Sequence, residues 1–207
     1  MLITLIRYGI PALLILLAAI VISKSRIVPK KLVIGTLSVV TIFVWAILMT
    51  QYPPEGLLVT YPDPVTAYQF SHSGNTGVKI IEGKQSAMVV GLSREREAEF
   101  QVFPKIEDGW QLGTSWWVKH YSFVPENSEI LIVITRVKSS GDCYAWVAFP
   151  VRPDHLPTDA RGSQYHSDSE VTGAFSTTYF AYIGRPSGTY TLTVDGVDYT
   201  LTGLPED

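Results

Sequence analysis

The chain has 207 residues, 46% of them hydrophobic and 17% charged, too apolar a balance for a disordered protein and long enough for one ordinary domain with additions. Its net charge of −3 joins two unlike parts: Arg7, Lys24, Arg26, Lys30 and Lys31 stand among no acids in the first 52 positions, whereas the remaining 11 basic residues face all 19 acidic ones. The acidic excess after Pro53 speaks against nucleic-acid binding, which needs concentrated Lys and Arg, and the single cysteine, Cys143, excludes an intramolecular disulfide.

The first two elements are apolar runs, LITLIRYGIPALLILLAAIVI from Leu2 to Ile22 and LVIGTLSVVTIFVWAILMT from Leu32 to Thr50. The second lacks charge over 19 residues, about 28 Å as a helix against a hydrocarbon core of about 30 Å. Trp45 and Tyr52 fall where interfacial aromatics are expected, and Pro53 and Pro54 stop the helix. The first run includes Arg7 and Pro11, which a spanning helix tolerates by snorkelling and by local rearrangement. A cleaved signal peptide is the alternative, opposed by the lack of a small-x-small site after the run. Between the runs, SKSRIVPKK (23–31) carries Lys24, Arg26, Lys30 and Lys31, the bias that keeps a short loop cytoplasmic, with anionic-lipid recognition as the lesser reading. The expectation for residues 1–52 is therefore a two-helix transmembrane hairpin, helices at about 2–22 and 32–50. The lipid bilayer is its partner, in a multi-pass cell-membrane protein with both termini outside the cytoplasm.

Residues 53–207 read as an extracytoplasmic all-β domain, an antiparallel sandwich or small barrel of roughly 8 to 10 strands. No stretch after Gln51 shows sustained helical spacing, and short β-branched and aromatic runs alternate with Gly, Pro, Asn and Asp. Candidate strands are Val65–Phe70, Val78–Ile81, Ser86–Leu92, Ala98–Phe103, Gly113–Val124, Glu129–Val137, Cys143–Val151 and Val171–Ile183. EILIVITRV, from Glu129, has the continuous apolar character of a strand buried on both faces, and KSSGD turns it into the next. SREREAE, from Ser93, reads as a solvated edge or turn. The sharpest element is TYTLTVDGVDYTLTG, from Thr189: Asp195-Gly196 signals a type I′ hairpin. A two-residue loop pairs Val194 with Val197, Leu192 with Tyr199 and Tyr190 with Leu201, putting six apolar residues on one face and the threonines on the other. PSGTYTLTV also loosely resembles a late strand of immunoglobulin-like sandwiches, without their paired cysteines.

The longest segment without strand character, PDHLPTDARGSQYHSDSE from Pro153, is the first place to look for a site, because long loops in compact domains are commonly functional. Its His155, Asp159, His166 and Asp168 are candidate metal ligands by residue type alone, with no recognised ligand spacing. Sortase-like transpeptidase chemistry would need Cys143, His120 and Arg152, but the Thr-Leu-x-Thr-Cys motif is absent, and a free Cys ordinarily acts as a small hydrophobe. No nucleophile elbow, phosphate-binding glycine loop or His-Glu-x-x-His occurs. Trp110, Trp116, Trp117 and Tyr121 raise carbohydrate binding, although successive strand residues cannot share one platform.

The function these features suggest is a membrane-anchored, non-enzymatic β-sandwich module of the bacterial envelope, without catalytic residues or cofactor, meeting an envelope or membrane protein partner. A carbohydrate-binding module is one alternative. Another is a ligand-sensing β-barrel receptor in the cytosol: two spans and a β domain are similar in outline to membrane effectors of anti-phage signalling that bind cyclic nucleotides.

Overall fold

The computed structural model describes residues 8–24, 30–51, 55–126, 128–168, 177–186 and 188–204. The chain divides into two units, Met1–Leu58 with Thr114–Trp116, and Val59–Gly113 with Trp117–Asp207.

The first unit holds α1 (Ile10–Lys24), α2 (Lys30–Gln51) and the single turn α3 (Glu55–Leu58). Pro11, Ala12 and Ile15 near the start of α1 line a groove with Ile42, Trp45, Ala46 and Met49 near the end of α2, so the two helices run antiparallel. The expected transmembrane hairpin is not supported: among the described residues no helix is long and apolar enough to cross a membrane. Helix α1 as described has 15 residues, about 22 Å, and residues 2–7 of the expected span lie outside the described residues. Helix α2 has 22 residues, opening on Lys30 and Lys31 and closing on Thr50 and Gln51. The multi-pass localisation and the orientation of the termini, which rested on those spans, fall with them. Of the topology residues, Lys24 ends α1 and Lys30 and Lys31 begin α2, whereas Arg26 lies outside the described residues, as does Arg7. Both helices nevertheless carry exposed apolar side chains, among them Leu13, Leu14, Leu16 and Leu17 on α1 and Ile42, Phe43 and Val44 on α2. Consecutive helical positions point about 100° apart, so neither helix has a polar side.

The second unit is a stack of layers built from one short helix and twelve strands among the described residues. Strands β1 (Thr76–Glu82), β2 (Ser86–Leu92), β3 (Ala98–Ile106) and β4 (Gly109–Trp110) form an antiparallel sheet in sequence order. The middle sheet has the order β5-β6-β7-β10-β9, from Val118–Phe123, Leu131–Val137, Cys143–Phe149, Thr177–Gly184 and His166–Asp168. The third, β12-β11-β8, comprises Val197–Leu204, Gly188–Val194 and Thr158–Asp159. Alternation divides the middle sheet between two cores. Cys143, Ala145, Val147, Phe149, Tyr179, Ala181 and Ile183 face Tyr190, Leu192 and Leu201 of the third sheet. Tyr144, Phe180 and Val137 face Ile81, Met88, Val90 and Val102 of the first. With both faces covered, β7 and β2 are buried or half-buried throughout, which explains runs such as SAMVVGL that a two-layer sandwich would break with outward polar residues.

The β reading of this unit holds, with amendments. The additional strands are two- and three-residue pieces, β4, β8 and β9, and the sheets are three where a sandwich has two. Val65–Phe70, expected as a strand, lies in helix α4 (Pro64–Ser71). Asp63 caps it, its Oδ1 accepting from Thr66 N at 2.8 Å, and Pro64 occupies the first turn, where its missing N–H costs nothing. Pro64, Ala67 and Tyr68 are buried, a 3-4 spacing too short for the sequence pattern to outweigh the β-branched and aromatic composition. Ala67 and Tyr68 pack on Val89 and Phe103, the outer face of β2 and β3. Residues 171–176 of the last candidate strand lie outside the described residues.

The terminal hairpin has the expected register, Val194↔Val197, Leu192↔Tyr199 and Tyr190↔Leu201. Asp195 and Gly196 have φ of 48° and 79°, the left-handed pair a type I′ turn requires. One side chain departs from the pattern: Val197, beside the turn, is 52% exposed, because alternation sets a residue's face and not how far the opposing layer extends. Leu192→Ala is therefore expected to cost about 2–5 kcal/mol and Val197→Thr no more than about 0.5 kcal/mol, measured by chemical denaturation.

Candidate functional site

The four metal-ligand candidates do not converge. His155 turns to the hairpin, where Asp195 accepts from His155 N at 2.8 Å and from Asp154 N at 3.1 Å, with His155 Nδ1 at 3.1 Å. Those bonds, led by the His155 N–H, hold the Asp195 carboxyl below its ordinary value. Asp159 closes the next turn: Oδ1 accepts from Arg161 N (3.0 Å) and Ser163 N (2.9 Å), and Oδ2 from Tyr190 OH (2.7 Å). Tyr190 is bonded in turn to the Tyr165 hydroxyl. Burial pushes the Asp159 carboxyl up, but the donors of Ser163, Tyr190 and Arg161 outweigh it and the net shift is downward. His166 stands on β9 opposite Phe180, and Asp168 opposite Thr178. Among the described residues no group of three or more His, Cys, Asp or Glu is placed to hold a metal ion.

The cysteine and histidine of the transpeptidase reading are separated by the sheet itself. Cys143 is buried in the core under the third sheet, whereas His120 pairs with Thr135, and Thr135 with Tyr144, in one cross-strand row on the opposite face. The aromatic residues are likewise dispersed over three cores. Trp110 packs beside Tyr61 and Phe103, Trp117 beside Met88 and Tyr144, and Tyr121 beside Ile132 and Ile134. Trp116, 42% exposed, sits in a turn.

A cleft opens instead where the first and middle sheets come alongside, with a volume of about 520 Å³. Its walls are Ile80, Ile81 and Glu82 of β1, Tyr182, Ile183 and Gly184 at the end of β10, and Arg161, Gly162, Ser163, Gln164 and His166 before and on β9. A second hollow of about 240 Å³ continues it past Ile80, Ile81 and His166 to Lys79, Val90, Ser167 and Phe180. Lys79 Nζ crosses the gap to donate to Ser167 O at 3.2 Å. The segment expected to carry a site supplies one wall, with His166 on its rim. Its other contributors, Arg161, Ser163 and Gln164, carried no motif, and Ile80, Glu82 and Tyr182 come from strands that only tertiary folding brings near.

Behind the cleft, Tyr182 donates to the fully buried carboxylate of Asp142, OH to Oδ1 at 3.0 Å. Asp142 Oδ2 accepts from Gln85 N at 2.7 Å and Ser86 Oγ at 2.9 Å, and Ser86 Oγ lies 2.9 Å from Tyr144 OH. Burial above all pushes the Tyr144 phenol up, so it remains an O–H. Gly83 has no room for a side chain, because a Cβ there would fall on Tyr144 OH. Comparison with known proteins yields no relative: no protein-family model, no curated protein and no solved structure matches the chain.

Two outcomes follow from these networks. Asp142→Ala leaves three donors without an acceptor and is expected to cost about 3 kcal/mol or more in urea denaturation, with Asp142→Asn losing less. Because the folded pKa of Asp159 lies below its unfolded value of about 3.9, its contribution is fully present above that pH and is lost as pH falls through the folded pKa. The stability difference between the native chain and Asp159→Asn should accordingly shrink between about pH 5 and pH 2.

Proposed function

We propose that the β-rich unit is a non-enzymatic recognition module that holds its ligand in the cleft between β1 and the β9–β10 edge. The observation that carries this reading is the cleft's make-up. Exposed Ile80 stands beside the polar side chains of Glu82, Arg161, Ser163, Gln164 and His166 in one concave surface, and concave sites that set polar groups beside an apolar surface are where ligands bind. It is supported by the fate of the other reactive groups: Asp159, Asp195 and Asp142 are each engaged by backbone or hydroxyl donors that fix turns and sheets, and Cys143 is buried. A binding module needs rigid walls more than titrating ones, and strands supply them.

Ile80 is 46% exposed, so Ile80→Trp fills the cleft from a position that tolerates a larger side chain. In a fragment screen of the full chain by NMR, ligands are expected to perturb the amides of His166 and Gly184 and to lose binding in Ile80→Trp. Ligands that map elsewhere, persist in Ile80→Trp or are chemically converted by the protein would overturn the reading.

A further inference from the structure

We infer that the cleft takes a small molecule bearing an oxyanion, a carboxylate or a phosphate group, and that Arg161 is the residue that holds it. This rests on the cleft being a binding site. The guanidinium is already oriented, since Arg161 Nη1 donates to Arg185 O at 3.1 Å, and that bond occupies one of its five N–H donors. Among the described residues no carboxylate pairs with it. The acid nearest in sequence, Asp159, is taken up by Arg161 N, Ser163 N and Tyr190 OH. An arginine fixed by a carbonyl and lacking an anion presents the rest of its planar fork to whatever enters, and that fork matches carboxylate and phosphate geometry.

Lys79 adds a positive charge on the continuation of the cleft, with His166 beside it, and among the described residues Glu82 is the one acidic side chain on the walls. Gln164 and Ser163 add neutral donors beside Arg161, and exposed Ile80 offers an apolar surface to the body of the ligand. An inorganic ion alone would leave that surface unused, so the preferred ligand has its charge at one end and an apolar or planar face at the other.

The test titrates the full chain with phenyl phosphate, benzoate and uncharged benzamide by NMR. At least one of the two anions is expected to bind about tenfold or more tightly than benzamide, and to weaken with salt. The tighter of the two identifies the group the site prefers. Arg161→Gln should remove that preference with its unfolding midpoint unchanged, and Arg161→Lys should keep only part of it. Equal binding of benzamide and the anions, still lost in Ile80→Trp, overturns the oxyanion assignment and leaves the cleft standing. Anion binding retained in Arg161→Gln, or no saturable binding of any probe, overturns the assignment as well.

Discussion

One buried carboxylate joins the first two sheets. Asp142, at the turn between β6 and β7, accepts from the backbone of Gln85 and the hydroxyl of Ser86 on one side and from Tyr182 on the other. A polar group left unsatisfied in such a place would be costly, and here three donors satisfy it. The price of this arrangement is strict geometry: Gly83 must lack a side chain so that Tyr144 can reach Ser86. A polar bond between layers also selects one register among the many that apolar strands would accept, which two-sided hydrophobic strands such as β2 and β7 cannot do for themselves.

The cleft depends on that junction. Tyr182 is at once a donor to Asp142 and a wall of the cleft, so the buried network sets the position of that wall. The third sheet acts from the other side, where Tyr190 anchors Asp159, and Asp159 in turn shapes the turn that presents Arg161 and Ser163.

The helical unit follows a different logic. Its helices are apolar on all sides, yet α1 is short and α2 is bounded by lysines and by Thr50 and Gln51. Long apolar runs in the sequence marked both as spans, whereas the helices as described run from Ile10 and from Lys30. In α4 the failure ran the other way. Eight residues with a cap at Asp63 formed a helix whose composition pointed to a strand, because a single side, Ala67 and Tyr68, found a partner in Val89 and Phe103.

What the sequence determined by itself was local. The strands β2 and β6, the turn at Asp195-Gly196 and the register of β11 with β12 from Thr189 to Val194 were legible, because alternation and turn chemistry act between neighbours in the chain. The segment from Pro153, singled out by its length as the first place to look for a site, forms one wall of the cleft. The tertiary structure alone decided that three sheets stack, that His155, Asp159 and His166 part to separate duties, and that Arg161 lines one cleft with Ile80 and Tyr182. Those are relations between residues far apart in the chain, fixed by which faces bury one another and by where Asp142 finds its donors, and no spacing along the chain encodes them.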